Sequence, residues 1–121
     1  MSIPPVPNTF EYGDLFEQFV LLEFIKLNHY FEKRFKFSYL RLEDDSEIDL
    51  IIEKPSGEHI LVEIKSSTKI DSDEVKKMTK FKSDFKKATF FYLSQDEDQR
   101  VEHDVFCLPW NEGIKRIFDV K

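Results

Sequence analysis

The spacing of apolar residues changes four times along the chain, and each change marks a boundary between elements. Residues 1–9 are rich in proline and read as extended or disordered, because each proline removes a backbone donor and restricts the residue before it. Folded structure begins near Phe10, and residues 10–121 form a single domain. From Asp14 to about Phe31, Leu15, Phe16, Phe19, Val20, Leu22, Phe24 and Leu27 recur mostly at three- and four-residue intervals without a proline, which predicts a long helix. So many phenylalanines and leucines predict that more than one face of it meets the core. From Lys36 the period falls to two. Phe37, Tyr39 and Arg41 alternate with Ser38, Leu40 and Leu42, and turn formers at 43–46 lead into a second strand, Glu47–Glu53. Lys54-Pro-Ser-Gly57 is a turn by composition, and Glu58–Lys65 is a third strand, making an antiparallel meander.

Helical spacing returns after Thr68. Val75, Met78, Phe81 or Lys82, Phe85 and Ala88 lie on one stripe, with Asp71, Ser72 or Asp73 able to cap it. Ala88–Leu93 is a buried strand, an acidic loop follows from Ser94 to Gln99, a further strand ends near Leu108, and Pro109 opens a short last helix through Phe118. The expected order is helix, three strands, helix, one or two strands, helix, an α/β architecture.

Composition narrows the class. With 121 residues, 40% hydrophobic, and eight Gly or Pro in all, the chain can bury a self-supporting core. One cysteine, Cys107, allows no internal disulfide; the start is not signal-like; and no apolar run approaches the ~20 residues of a membrane helix. These features predict a cytoplasmic protein without a membrane partner. The net charge of −6 argues against non-specific nucleic-acid binding by the whole surface, but its distribution is uneven. Residues 64–91 carry 4 acids and 8 bases between two acidic segments.

The chemistry concentrates in the hairpin. If its turn centres on Ser56, paired positions sum to 112, which sets Asp49 opposite Glu63 and Glu47 opposite Lys65, with Asp49, Glu63 and Lys65 on one face. Two carboxylates ~5 Å apart repel by roughly 3 kcal/mol at an effective dielectric of 20, so something must compensate. Lys65 offsets part of this. A divalent cation offsets it better, because Mg²⁺ takes one or two protein carboxylates and keeps waters and substrate phosphate as its other ligands. A solvated face with cross-strand ion pairs is the plainer alternative. Against it, Ile48, Leu50, Ile51, Ile52, Ile60, Leu61, Val62 and Ile64 predict strands covered on both faces, where charges need a reason.

Asp49 followed by Glu63-Ile64-Lys65 resembles the Asp...(Asp/Glu)-X-Lys signature of the PD-(D/E)XK nuclease-like superfamily. More narrowly, the chain is similar to the uncharacterised domain at the C-terminus of many bacterial and archaeal AAA-type ATPases. The matching segments are Tyr12–Val20 with Glu23, Tyr39-Leu-Arg41, Glu47–Leu50, Val62–Ser67 and Leu108-Pro-Trp110. Leu40 stands where that family has tryptophan, and Asp45 lies near a usual glycine. The resemblance implies a restriction-endonuclease-like core with a mixed central sheet. It also implies a metal-dependent phosphodiesterase, with Asp49 and Glu63 as ligands of Mg²⁺ (or Mn²⁺), Lys65 beside the scissile phosphate and Glu17 completing the catalytic group. DNA is the expected substrate, with RNA also open. The chain has no Gly-x-x-x-x-Gly-Lys-Ser/Thr loop, so an ATPase module would be on another chain or outside this sequence.

Lys69, Lys76, Lys77, Lys80 and Arg41 are candidate nucleic-acid contacts; helix solubility for the lysines and a structural ion pair for Arg41 are the alternatives. His29, His59 and His103 lack zinc-site spacing. Cys107, in an apolar strand, reads as an inert buried thiol, and Trp110 as a residue packed beneath the sheet. Two functions follow: a metal-dependent nuclease, and a non-catalytic interaction or regulatory module that keeps the nuclease fold.

Overall fold

The computed structural model describes residues 10–41 and 47–119. The proline-rich start and the turn expected at 43–46 lie outside these residues. Helix α1 runs Phe10–Tyr30, followed by strands β1 (Lys36–Arg41), β2 (Glu47–Glu53) and β3 (His59–Ile64), helix α2 (Ser72–Met78), strands β4 (Ala88–Ser94), β5 (Arg100–Glu102) and β6 (Val105–Pro109), and helix α3 (Trp110–Phe118). The strands form one mixed sheet in the order β1-β2-β3-β4-β6-β5. The β1-β2-β3 meander is antiparallel as expected, β3, β4 and β6 run parallel, and β5 is antiparallel to β6. Among the described residues the fold is therefore mixed α/β, with three α-helices around a six-stranded sheet.

Both faces of the sheet are covered. On one, Leu50, Ile52, Ile60, Val62, Ile64, Phe91 and Leu93 pack against Val20 and Phe24 of α1 and Ile114, Ile117 and Phe118 of α3. On the other, Ile51, Leu61, Phe90, Tyr92 and Cys107 pack against Val75 and Met78 of α2 and against Phe81. Period-two alternation within β2, β3 and β4 sends successive apolar residues to opposite layers, which is why these strands read as continuous apolar runs. None of the helices is long and apolar enough to cross a membrane, among the described residues.

The structure corrects three expectations. Helix α2 does not continue to Ala88: it ends at Met78, passes through a single 3₁₀ turn at Thr79–Phe81, and the apolar stripe continues on turns to Phe85. Its N-cap is Asp71, whose carboxylate accepts from the amides of Asp73 (3.0 Å) and Glu74 (3.4 Å). A short strand, β5, forms within the segment taken as one loop and one strand, reversing through His103 and Asp104, both at positive φ (51° and 64°). Helix α1 buries only one face: Leu15, Phe19, Leu22 and Ile25 are about half exposed or more. Trp110 packs against the layer that covers the α1 side of the sheet, as expected, with its ring edge-on to α1, 6.3 Å from Phe16 and 5.5 Å from Phe19.

Candidate active site

The observed ladder pairs Leu50 with Val62, Ile51 with Leu61, Ile52 with Ile60 and Glu53 with His59. Every pair sums to 112, the register expected from the turn, so Asp49 and Glu63 are placed opposite one another. On its other side β2 is irregular. Between the pairs Ser38–Ile51 and Leu40–Ile48 it holds one residue more than β1, a bulge at Asp49–Leu50. A bulge re-aims the side chain it carries. Here it lets Asp49 meet Glu63 from the next strand and also hydrogen-bond Glu17 from α1.

Asp49 Oδ2 accepts the amide of Ile64 at 2.8 Å. Burial, then the hydrogen bond with Glu63 and the charge of Glu63, push the Asp49 carboxyl up to about 8, while the Ile64 amide and Glu17 pull the other way. Burial raises Glu63 as well, against the hydrogen bond with Asp49 and the charge of Lys65; Glu74 and Glu17 add to the rise. Two carboxyls can hydrogen-bond only if one holds a proton, so the pair keeps in one proton what it lacks in counter-charge. Burial works to lower Lys65, yet Glu63, Glu74, Asp49 and Glu17 together outweigh it and hold the ammonium above its ordinary value.

Glu74, on the first turn of α2, is the residue that sequence reading missed. Its Oε2 lies 3.8 Å from Lys65 Nζ and accepts from the hydroxyl of Tyr92 at 3.2 Å. Tyr92 is fully buried on β4 at the position paired with Glu63. Burial above all, with the charge of Glu74, raises the Tyr92 phenol, and it stays a donor. No local spacing reveals Glu74, because a crossover from β3 into α2 sets its distance from Lys65; only the pairing of β3 with β4 brings Tyr92 alongside.

A cavity of about 520 Å³ opens beside Lys65 and Glu74, lined also by Ser66, Ser67, Lys69, Ile70, Asp71 and Ser72, and neither Asp49 nor Glu63 lines it. Its far side is fastened by Gln95, which donates to Ser66 O at 2.7 Å and to the Tyr12 hydroxyl at 2.9 Å. A Cβ at position 13 would stand 3.2 Å from Ser66 Oγ, a tight approach that the missing side chain of Gly13 relieves.

The structure thus brings Asp49, Glu63, Lys65 and Glu17 together and adds Lys69 at the cavity wall. Lys76 and Lys77 lie exposed in the last turn of α2 and Lys80 exposed in the 3₁₀ turn, none of them lining the cavity. Arg41 ends β1, and its side chain lies outside the described residues. Cys107 is buried, and burial pushes its thiol up to about 11, so it is inert. Among the described residues, no three His, Cys, Asp or Glu side chains could hold a metal ion by themselves. Asp49 and Glu63 supply two carboxylates, and carboxylate oxygens are the donors that suit Mg²⁺ or Mn²⁺.

Residues 12–112 match the family model described as a domain of unknown function, DUF4143. No curated protein and no solved structure matches the chain.

Proposed function

The chain belongs to the DUF4143 family, and from its site we propose that it is a metal-dependent nuclease, hydrolysing phosphodiester bonds of DNA within a restriction-endonuclease-like core. One observation carries the reading: Asp49 and Glu63, from adjacent strands, converge in surroundings that disfavour both charges, with the Lys65 ammonium beside them. Side chains arranged at such cost to the fold are a mark of a functional site. Asp49 and Glu63 would hold Mg²⁺ or Mn²⁺, which when bound supplies a Lewis acid and lowers the pKa of its water. Lys65 stabilises charge on a phosphate oxygen, Glu17 orients Asp49, and Lys69 meets a neighbouring phosphate at the cavity wall. Lys76, Lys77, Lys80 and Arg41 lie further along the same reading as backbone contacts, and an ATPase module on another chain is the protein partner it accommodates.

The test is cleavage of plasmid, single- and double-stranded oligonucleotides and RNA with Mg²⁺, Mn²⁺ or chelator. DNA is expected to be cut only with metal. Asp49→Asn and Glu63→Gln should abolish cutting, and Lys65→Ala should slow it by about 10²-fold or more. A wild-type chain that cuts none of these substrates with either metal overturns the proposal. The second reading, a non-catalytic module, is favoured by the ion pair between Lys65 and Glu74, which occupies the ammonium that catalysis needs. Under that reading metal leaves the melting temperature unchanged, because a ligand stabilises only what it binds.

A further inference from the structure

A lysine side chain is long and flexible, yet Lys65 is held at both ends. At the backbone its amide donates to Leu93 O at 2.8 Å, continuing the parallel pairing of β3 with β4. At the tip, Nζ lies 3.8 Å from Glu74 Oε2. A flexible four-carbon stem joins the two, so without a partner at its tip the ammonium would range over a wide volume.

Glu74 is itself fastened to the core. Period-two alternation puts Glu63 and Lys65 on the face of β3 that Leu61 turns toward α2, with Tyr92, paired with Glu63, on the same face of β4. Tyr92 is fully buried. Its hydroxyl accepts the amide of Asp71 at 3.4 Å and donates to Glu74 Oε2 at 3.2 Å, while Asp71 caps the helix by accepting the amide of Glu74 at 3.4 Å. One buried hydroxyl thus fixes both the start of α2 and the carboxylate on its first turn. An ordinary surface ion pair must immobilise two free side chains; here one partner is already anchored. The pair is also open to a ligand. Its 3.8 Å separation is longer than a hydrogen bond, its side chains are 37 and 34% exposed, and both line the cavity. Charge holds the ammonium in place while its donors stay available to a phosphate oxygen.

We propose that Glu74, anchored by Tyr92, is a positioning residue that aims the Lys65 ammonium at substrate phosphate. This rests on the nuclease reading. Asp49 and Glu63 also attract the ammonium, but under that reading they serve as metal ligands, and Glu74 is the counter-charge outside that set. The pair that the non-catalytic reading takes as occupying Lys65 serves here to aim it.

Two measurements test this, one of them independent of cleavage. Carbon NMR relaxation of the lysine ε-methylenes in the metal-free chain reads side-chain order. Lys65 should be well ordered beside the exposed Lys69, and Glu74→Gln, which keeps an acceptor for Tyr92 but removes the charge, should loosen Lys65 toward the order of Lys69. Tyr92→Phe should loosen it in part. In cleavage assays Glu74→Gln should lower kcat by roughly tenfold or more at nearly constant KM. Added to Lys65→Ala it should have no further effect, because a residue acting through Lys65 then has nothing to act on. Should far-ultraviolet circular dichroism show Glu74→Gln misfolded, Tyr92→Phe carries both tests. A Lys65 that stays ordered in Glu74→Gln overturns the proposal, as does a full loss of kcat from Glu74→Gln in the Lys65→Ala background. Cleavage that Glu74→Gln leaves unchanged overturns it alone. A wild type that cuts nothing while Glu74→Gln loosens Lys65 overturns the nuclease reading and supports the anchoring.

Discussion

At the β5 edge of the sheet, Arg100 Nε lies 2.6 Å from Glu102 Oε2 with solvent in reach of both residues. In the interior, two acids, Asp49 and Glu63, face each other across β2 and β3 with little solvent and a shared proton. Both are charged pairs on strands, but their energetics have opposite signs. The edge pair is screened and is worth at most about 1 kcal/mol, so the sheet neither needs it nor suffers by it. The interior pair opposes folding whenever both groups ionise, and the fold meets this with a shared proton, the Ile64 amide and the Lys65 ammonium. The position of a charged pair on a strand is therefore a better guide to function than its presence.

The largest effect expected from this contrast is on pH dependence without metal. Asp49 rises from 3.8 to about 8, so the folded state binds its proton more tightly than the unfolded state. Its stabilising contribution is complete below about pH 4 and is lost as pH rises through about 8. Glu63 is raised in the same sense. The wild type should lose several kcal/mol, as an order of magnitude, between pH 5 and pH 8, and Asp49→Asn should remove much of that slope. Urea unfolding at the two pH values measures it. Asp96 runs the other way, held low by the amides of Asp98 and Ile70, but its contribution is lost only as pH falls into the acid range. Equal slopes in wild type and Asp49→Asn would break the contrast.

Next comes metal. At a free concentration one hundred times its dissociation constant, Mg²⁺ or Mn²⁺ should stabilise the wild type by about 2.7 kcal/mol. At one fixed ion concentration the gain should be greater at pH 8 than at pH 6, because the ion must displace the shared proton. Glu63→Gln should show no gain in the same thermal-shift titration. A smaller effect is expected at the hydroxyl of Tyr92: Tyr92→Phe removes the donor to Glu74 and should cost about 1 kcal/mol in urea unfolding. Smallest of all, Arg100→Ala should change stability by less than about 1 kcal/mol at any pH from 5 to 8. If Arg100→Ala moved stability more than Asp49→Asn does, the interior and the edge would not differ as proposed.

Much of this was legible in the chain. Two apolar runs around Lys54-Pro-Ser-Gly57 fix a turn, and the turn fixes which residues face each other, so the register of Asp49 and Glu63 follows from local information. Element order up to β4 is local too, and so is the cap of α2 to within Asp71, Ser72 and Asp73. What escaped reading is set by distance. The bulge at Asp49–Leu50 exists only relative to β1, and Glu74 meets Lys65 only through a crossover. The end of α2 at Met78 was hidden because the apolar stripe continues along turns that keep Phe81 and Phe85 at the core. The half-exposed Leu15, Leu22 and Ile25 of α1 read as core because their spacing and composition are those of residues seated on the sheet. Sequence period reports amphipathicity and not what lies opposite.

Gly13 gives the site a clearance that no charged residue supplies. The helix bearing Glu17 and the loop leaving Lys65 are separated by the width of a missing methyl group, and an alanine there would make Ser66 give way by a few tenths of an ångström. Such a change alters no charge, no donor and no proton. It would move only the Ser66 hydroxyl at the cavity wall, and so offers a mechanical control for a constellation whose other members all act through their charge.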